Sequence, residues 1–383
     1  MKKHLLVCLF AAMTLGSVVT SCSDDDPIVC PIAETTYNSN NGLELTYSGE
    51  KLLGKQVLFT PNAANPDKAT LTLSGAELSM EGMPMSLPGT GVIPGETTTT
   101  LEIDNIVITG DEISFEGQNQ NETRVINYKG SATKSGMTLD LKVVMASNVF
   151  SGKTFNLVPM DQKPTSLFFT WKADPFKFSG GMWDIQSAIL MTVGMFPVVD
   201  NMTALDALGA VLKSVSFLED GNIKAEYKDQ PKDENWKASP LNLATYTVQG
   251  DKIKLFLNPE QIAYIATQAS KSSRASIAEL IPSLILKASD LLVNGITIHF
   301  VENEGVTAIY LDKEELMPIL QMVKPIFEDK ETVAMLVDLI AEAAGPSMAP
   351  LVKLFVPEIL NALPNVIDTT SELKIGINLT EAK

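Results

Sequence analysis

The sequence is poor in the side chains that most often carry metal or nucleophilic chemistry. Its 383 residues include only three Cys and two His. His4 and Cys8 lie in an N-terminal stretch that reads as a removable segment. What remains is Cys22, Cys30 and a single imidazole, His299. On that count zinc and iron sites are excluded, and no residue is assigned a metal, cofactor or catalytic role. Basic residues are scarce beside acids, 29 against 46, for a formal net charge of −17. Such a chain has nothing with which to neutralise a row of phosphates, so nucleic acid is excluded as a partner. Three Trp among 7% aromatic residues leave few platforms for a sugar-processing cleft. No P-loop and no EF-hand pattern is present. At 45% hydrophobic the chain is too apolar for disorder, and long enough for two domains with separate cores.

The N-terminus is more informative. Met1-Lys2-Lys3-His4 precedes an apolar run from Leu5 to Met13, too short to span a bilayer and suited to a signal peptide over residues 1–21. Then come Val19-Thr20-Ser21-Cys22 and Ser23-Asp24-Asp25-Asp26. The first resembles the lipobox of bacterial lipoproteins, and the second resembles the acidic export signal of Bacteroidetes surface lipoproteins. That resemblance implies cleavage before Cys22, a diacylglycerol on its thiol and an acyl chain such as palmitate on its amine. It also implies an outer-membrane location facing the cell exterior. Several acyl chains anchor firmly where one gives only marginal binding. With Cys22 capped, Cys30 is a lone thiol without an activating base nearby. Residues 22–41, ending in Asn38-Ser39-Asn40-Asn41, are expected to be a flexible acidic tether.

From residue 42 to 158 apolar residues alternate. Met137, Leu139, Leu141, Val143 and Met145 are the clearest run, with shorter ones at Val57/Phe59, Ala69/Leu71/Leu73 and Leu101/Ile103. Period-two patterns broken by Ser74-Gly75, Gly110-Asp111 and Ser135-Gly136 predict an all-β antiparallel barrel or sandwich. Met80–Glu96, rich in Pro and Gly, is expected to be a long irregular loop. Residues 165–383 mix hairpins with helices, so the overall class is α+β, the second domain having an antiparallel sheet and short apolar helices. Hairpins are expected around Asp220-Gly221, Gly250-Asp251 and Glu304-Gly305, with a last strand over Leu373–Leu379. Helices are expected near residues 183–195, 203–213, 275–292, 331–343 and 348–362. Two more should start at Pro259, capped by Asn258, and after Asp312, which with Glu315 suggests a capping box.

His299, between Ile298 and Phe300, is expected to face solvent or to be hydrogen-bonded, since no nucleophile and orienting carboxylate can be matched to it by spacing. Acidic pairs such as Glu314-Glu315, Glu302 with Glu304, or Asp233-Glu234 leave a carboxylate-based glycosidase as the least favoured function. The less ordinary feature is the apolar, Met-rich character of the helices. Met191, Met195, Met317, Met322, Met335 and Met348 could line an apolar groove, because unbranched thioethers adapt to varied apolar surfaces. Prolines such as Pro318, Pro325, Pro357 and Pro364 should keep these helices short and kinked. The whole chain resembles two-domain Bacteroidetes surface lipoproteins to which no function is assigned, a likeness that carries anchoring chemistry but no active-site motif. The expected function is therefore a non-enzymatic, lipid-anchored surface protein that binds an apolar small molecule or a partner protein. The alternative is a structural or adhesion component of a surface assembly.

Overall fold

A computed structural model describes residues 29–77, 89–195, 197–199, 202–269 and 294–383. The signal peptide, Cys22, Ser23, Asp24, Asp25, Asp26 and the helix expected at 275–292 lie outside these residues. The first ten strands are β1 (Thr35–Asn38), β2 (Leu43–Tyr47), β3 (Glu50–Lys51), β4 (Lys55–Pro61) and β5 (Ala69–Gly75), followed by β6 (Thr98–Ile103), β7 (Ile106–Thr109), β8 (Glu112–Gln120), β9 (Arg124–Thr133) and β10 (Gly136–Met145). They form two sheets, ordered β1-β4-β5-β6 and β3-β2-β10-β9-β8-β7. The inward residues of both sheets, including Val57, Phe59, Leu71, Leu101, Leu139 and Leu141, make one core. Two sheets closing over a shared core form a sandwich.

Three expectations need correction here. Residues 35–41 are not tether: β1 pairs with β4, and Tyr37 is fully buried, its hydroxyl donating to the Thr133 carbonyl at 2.6 Å. One aromatic anchor in a four-residue strand is too short a pattern to register as alternation. Nor is the sandwich wholly antiparallel, because β2 runs parallel to β10. The Gly/Pro-rich loop also contributes to the core where it is described, with Val92 and Ile93 buried.

The second domain begins before residue 158. β11 (Lys153–Leu157) pairs with strands of the second sheet, and Phe150, Phe155 and Leu157 belong to its core. Period-two alternation is the same on both sides of this junction, so the pattern cannot mark it. The chain continues through β12 (Leu167–Lys172), β13 (Phe176–Phe178), β14 (Gly181–Trp183), α1 (Ile185–Met195), β15 (Pro197–Val199) and β16 (Met202–Thr203). Next are α2 (Ala204–Val211), β17 (Leu212–Phe217), β18 (Ile223–Tyr227), β19 (Lys237–Ala238), β20 (Ala244–Gln249), β21 (Lys252–Leu257) and α3 (Pro259–Ala269). The last elements are β22 (Ile296–Asn303), β23 (Val306–Asp312), α4 (Lys313–Glu328), α5 (Lys330–Ala344), α6 (Ala349–Thr369) and β24 (Glu372–Glu381).

The large sheet is ordered β19-β18-β17-β11-β24-β23-β22-β21-β20, with β12 also paired to β24. Every pairing in it is antiparallel, as the three hairpins predict. Its ends approach each other: Asn222 bridges to Thr245, and the Tyr246 N–H reaches the Gly221 carbonyl at 2.8 Å. The curled sheet encloses an aromatic core in which the Phe150 ring lies 4.9 Å from Phe217 and 4.8 Å from Phe300. At the β22–β23 turn Glu304 and Gly305 both have positive φ, 51° and 79°. That is the type I′ geometry that fits strand twist.

Helices α1, α4 and α6 pack with Trp171, Phe176, Phe178 and Leu373 into a second core, and α5 and α6 share a third. Short, proline-broken helices were expected, yet α6 runs 21 residues through Pro357 and Pro364, and α4 runs 16 through Pro318 and Pro325. Each pair is spaced two helical turns apart, so the lost N–H groups fall on one face. Packing of the opposite face then holds the helix together. By length and composition α6 could cross a bilayer, but Val352, Val356, Ile359, Leu363, Val366 and Ile367 are buried against the rest of the domain.

β24 is hydrogen-bonded along both edges, to β11 and β12 on one side and β23 on the other. At its centre Gly376 faces Phe168 and Tyr310, whose rings meet 4.9 Å apart across it. A methyl group there would be driven into the Ile309 carbonyl and the Tyr310 backbone. Gly376→Ala is therefore expected to cost about 3 kcal/mol, the upper range for overpacking. Urea unfolding of the variant beside Gly194→Ala, where the added carbon would meet only Leu205 Cδ1 at an ordinary 4.0 Å, measures it. Equal stabilities for the two variants would refute the packing argument.

Candidate functional site

Along β4 the burial pattern puts Lys55 on the inward side with Val57 and Phe59. The ammonium is only 4% exposed and donates to the Thr90 carbonyl at 2.8 Å and the Thr90 hydroxyl at 2.7 Å. Burial pushes its pKa down to about 7, against which the charge of Glu260 works upward. Glu260 in turn is raised, by its own burial more than Lys55 lowers it. A lysine held this way switches charge near neutrality.

Lys55 lines a cavity of about 190 Å³ at the seam between the two domains. The first domain supplies Lys55, Thr90 and Glu96, and the second supplies Asn242, Lys254 and Asn258. Glu96 is fixed by Arg124, whose Nε lies 3.0 Å from Oε1 and whose Nη2 lies 3.3 Å from Oε2. The Thr99 hydroxyl also donates to Glu96, at 2.5 Å. Such a fork fixes the plane of the carboxylate as well as its charge.

The two asparagines tie the domains together. Asn258 Nδ2 donates to the Leu53 carbonyl at 3.1 Å, while its Oδ1 accepts the Gln261 N–H at 3.3 Å and caps α3 as expected. Asn242, at φ 62°, directs Nδ2 to the carbonyls of Tyr47, Glu50 and Lys51 at 3.2, 3.1 and 3.4 Å. Those three acceptors fix which end of the amide is nitrogen. Its Oδ1 is then buried without a hydrogen-bond partner among the described residues. Beside the cavity stand one buried acceptor without a partner and, on Lys55, one ammonium hydrogen beyond the two spent on Thr90. The cavity is of a size to hold a small polar molecule.

A second cluster gathers around the lone imidazole. Cross-strand register aligns His299, Tyr310, Gly376 and Phe168 in one row. The His299 ring stacks on Tyr310 with centroids 5.6 Å apart. Its side chain is 13% exposed, so it does not face solvent. Nε2 lies 3.1 Å from Asp312 Oδ2 and 3.6 Å from Glu315 Oε2. Asp312 does cap α4, accepting the Glu314 N–H at 2.8 Å. The reciprocal half of the expected capping box is missing, because the Glu315 side chain turns toward His299 instead. Burial raises Asp312, but hydrogen bonds from the Glu315 side chain and the Glu314 N–H, with the His299 charge, outweigh it and hold it below the usual range. Glu315 is raised, first by burial and then by its hydrogen bond to Asp312 and that group's charge. Counting His and Cys had excluded a metal-binding set. The structure brings one imidazole and two carboxylates within ligating distance of one another, which that count could not register.

Among the described side chains, no methionine lines the cavity beside Lys55. Met191 and Met317 pack against the core of α1, α4 and α6, and Met348 packs against that of α5 and α6. Met322 is half-buried, Met335 is 63% exposed, and the Met195 side chain lies outside the described ones. No known family matches the chain, and neither a curated protein nor a solved structure matches it.

The low Lys55 pKa has a stability consequence with a definite sign. Between pH 7 and the ordinary lysine value of 10.5 the unfolded chain holds this proton and the folded one does not. Stability from this group must therefore rise with pH across that window, by up to about 1.4 kcal/mol per unit. Urea unfolding at pH 6, 7.5 and 9 should show Lys55→Met gaining most on the wild type at pH 6, with that advantage shrinking by pH 9. Parallel profiles for the two proteins would exclude a buried, titrating amine.

Proposed function

We propose that the chain is a non-enzymatic, lipid-anchored binding protein of the outer membrane, facing the cell exterior. The anchoring half of this reading rests on Val19-Thr20-Ser21-Cys22 followed by Ser23, Asp24, Asp25 and Asp26. The binding half rests on one observation, the polar cavity at the domain seam with its buried Lys55 and the unpartnered Oδ1 of Asn242. Domain interfaces are a preferred place for small-molecule sites. The lining favours a small polar ligand over the apolar one that the methionines suggest. It has no pair of carboxylates facing each other across open space, since Glu96 is spent on Arg124, and this weighs against glycoside hydrolysis.

A second reading, a component of a surface assembly, draws on apolar side chains turned outward on the helices. Met335 and Leu339 on α5 are 63% and 62% exposed, and Leu354 on α6 is 58% exposed. Cross-linking in intact cells distinguishes the two readings, since an assembly component gives a stoichiometric protein partner.

Two measurements test the proposal. Cys22→Ala should abolish palmitate incorporation and release the protein from membranes; membrane association that persists unchanged would refute the anchor. Thermal denaturation against a panel of small sugars, amino acids and carboxylates should find a compound that raises the Tm of the wild type. Asn242→Ala and Lys55→Met should each reduce that shift by about tenfold in apparent affinity, the loss of one hydrogen bond to a charged or buried group. A panel without any response, together with no retained molecule in native mass spectrometry, would remove the cavity as the binding site.

A further inference from the structure

We infer that His299, Asp312 and Glu315 form a binding site for a divalent transition-metal ion of zinc-like character. The case begins with two orphaned atoms. His299 Nε2 and Glu315 Oε2 are both buried, and neither has a hydrogen-bond partner among the described residues. They lie 3.6 Å apart and face each other. Asp312 Oδ2, 3.1 Å from the same nitrogen, lacks the alignment of a hydrogen bond to it. Unpaired buried polar atoms are costly, and two of them converging beside the Asp312 carboxylate call for a shared positive centre.

The spacing fits a metal. Bonds of roughly 2.0–2.2 Å to nitrogen and carboxylate oxygen place neighbouring ligands about 2.8–3.6 Å apart at octahedral to tetrahedral angles. Both separations from Nε2 fall within that range. The donor set selects the ion class. An imidazole nitrogen favours zinc and its first-row neighbours over calcium and magnesium, while two carboxylates balance a double positive charge. No lysine or arginine forms an ion pair with Asp312 or Glu315 among the described residues. The nearby Lys374 is engaged with Glu372 at 3.1 Å. Three protein ligands leave at least one coordination position for water or an external donor.

The ligands also come from rigid places. His299 sits within β22 and is stacked on Tyr310; Asp312 ends β23 and caps α4; Glu315 occupies the first turn of that helix. Hairpin register and helix start fix all three before any ion arrives, the preorganisation a metal site needs. Carboxylates without a lysine or arginine partner, and their partial burial, distinguish this cluster from the many exposed acids elsewhere on the surface.

Calorimetric titration of the detergent-solubilised full chain with Zn²⁺ should give one bound ion per chain. X-ray absorption of that complex should report one imidazole in the ligand shell. Glu315→Gln, which keeps shape and removes charge, should weaken binding at least tenfold, and His299→Gln should abolish the imidazole signature. No saturable binding would overturn the inference. So would Zn²⁺ bound without an imidazole, or bound equally by Glu315→Gln, since the acidic segment Asp24–Asp26 would then be holding it. Should His299→Gln fail to fold, the absorption spectrum of the wild type still decides.

Discussion

The second domain depends on a strand that has no free edge. β24 satisfies its backbone groups toward β23 on one side and toward both β11 and β12 on the other. Because all these groups are paired, the strand cannot slip by one residue without unpairing a row of hydrogen bonds and turning every side chain over. Its two anchors lie in different cores: Leu373 packs with the helices, and Leu379 lies inside the curled sheet. One strand therefore sets where the helical layer stands relative to the sheet. The position of β23 follows from β24, that of Asp312 from β23, and that of Glu315 from the helix Asp312 caps. The imidazole cluster is thus a product of register rather than of any local motif.

The seam between the domains is built on different physics. There, side-chain amides from the second domain satisfy carbonyls at the β2–β3 hairpin and at Leu53 of the first. The Tyr47 hydroxyl returns the arrangement by donating to the Asp220 carbonyl at 2.5 Å. Contacts of this kind specify a single orientation because each donor has few acceptable partners. They also leave a polar gap, and the cavity with Lys55 is that gap. An oily seam would have closed.

Much of the architecture is legible in the amino-acid pattern. The period-two run from Met137 to Val143 forms a half-buried strand, the three hairpins fall at their turn residues, and Asn258 caps α3. The candidate sites were legible only in part. Lys55 shares parity with Val57 and Phe59, so an inward lysine could be read from the same alternation that finds the strand. The type I′ turn at Glu304-Gly305 fixes the pairing of His299 with Tyr310 and so brings Asp312 close. That inference requires register, which residue counts ignore. The partners of Asn242 could not be read at all, because they are backbone carbonyls about two hundred residues earlier. Proline frequency misled for a related reason: it reports the lost N–H groups but not the packed face that compensates for them.

The short strand β1 has a mechanical consequence. A pull on the N-terminal segment meets Ile32 first, buried in the sandwich core, and then Thr35, where β1 joins β4 at the rim of the four-stranded sheet. To free more of the segment, Ile32 must leave the core, four residues of pairing must break and Tyr37 must be drawn out. β1 is thus a sacrificial fastener. Pulled from that end it is the first strand to carry load, and its release would lengthen the N-terminal segment by its own span.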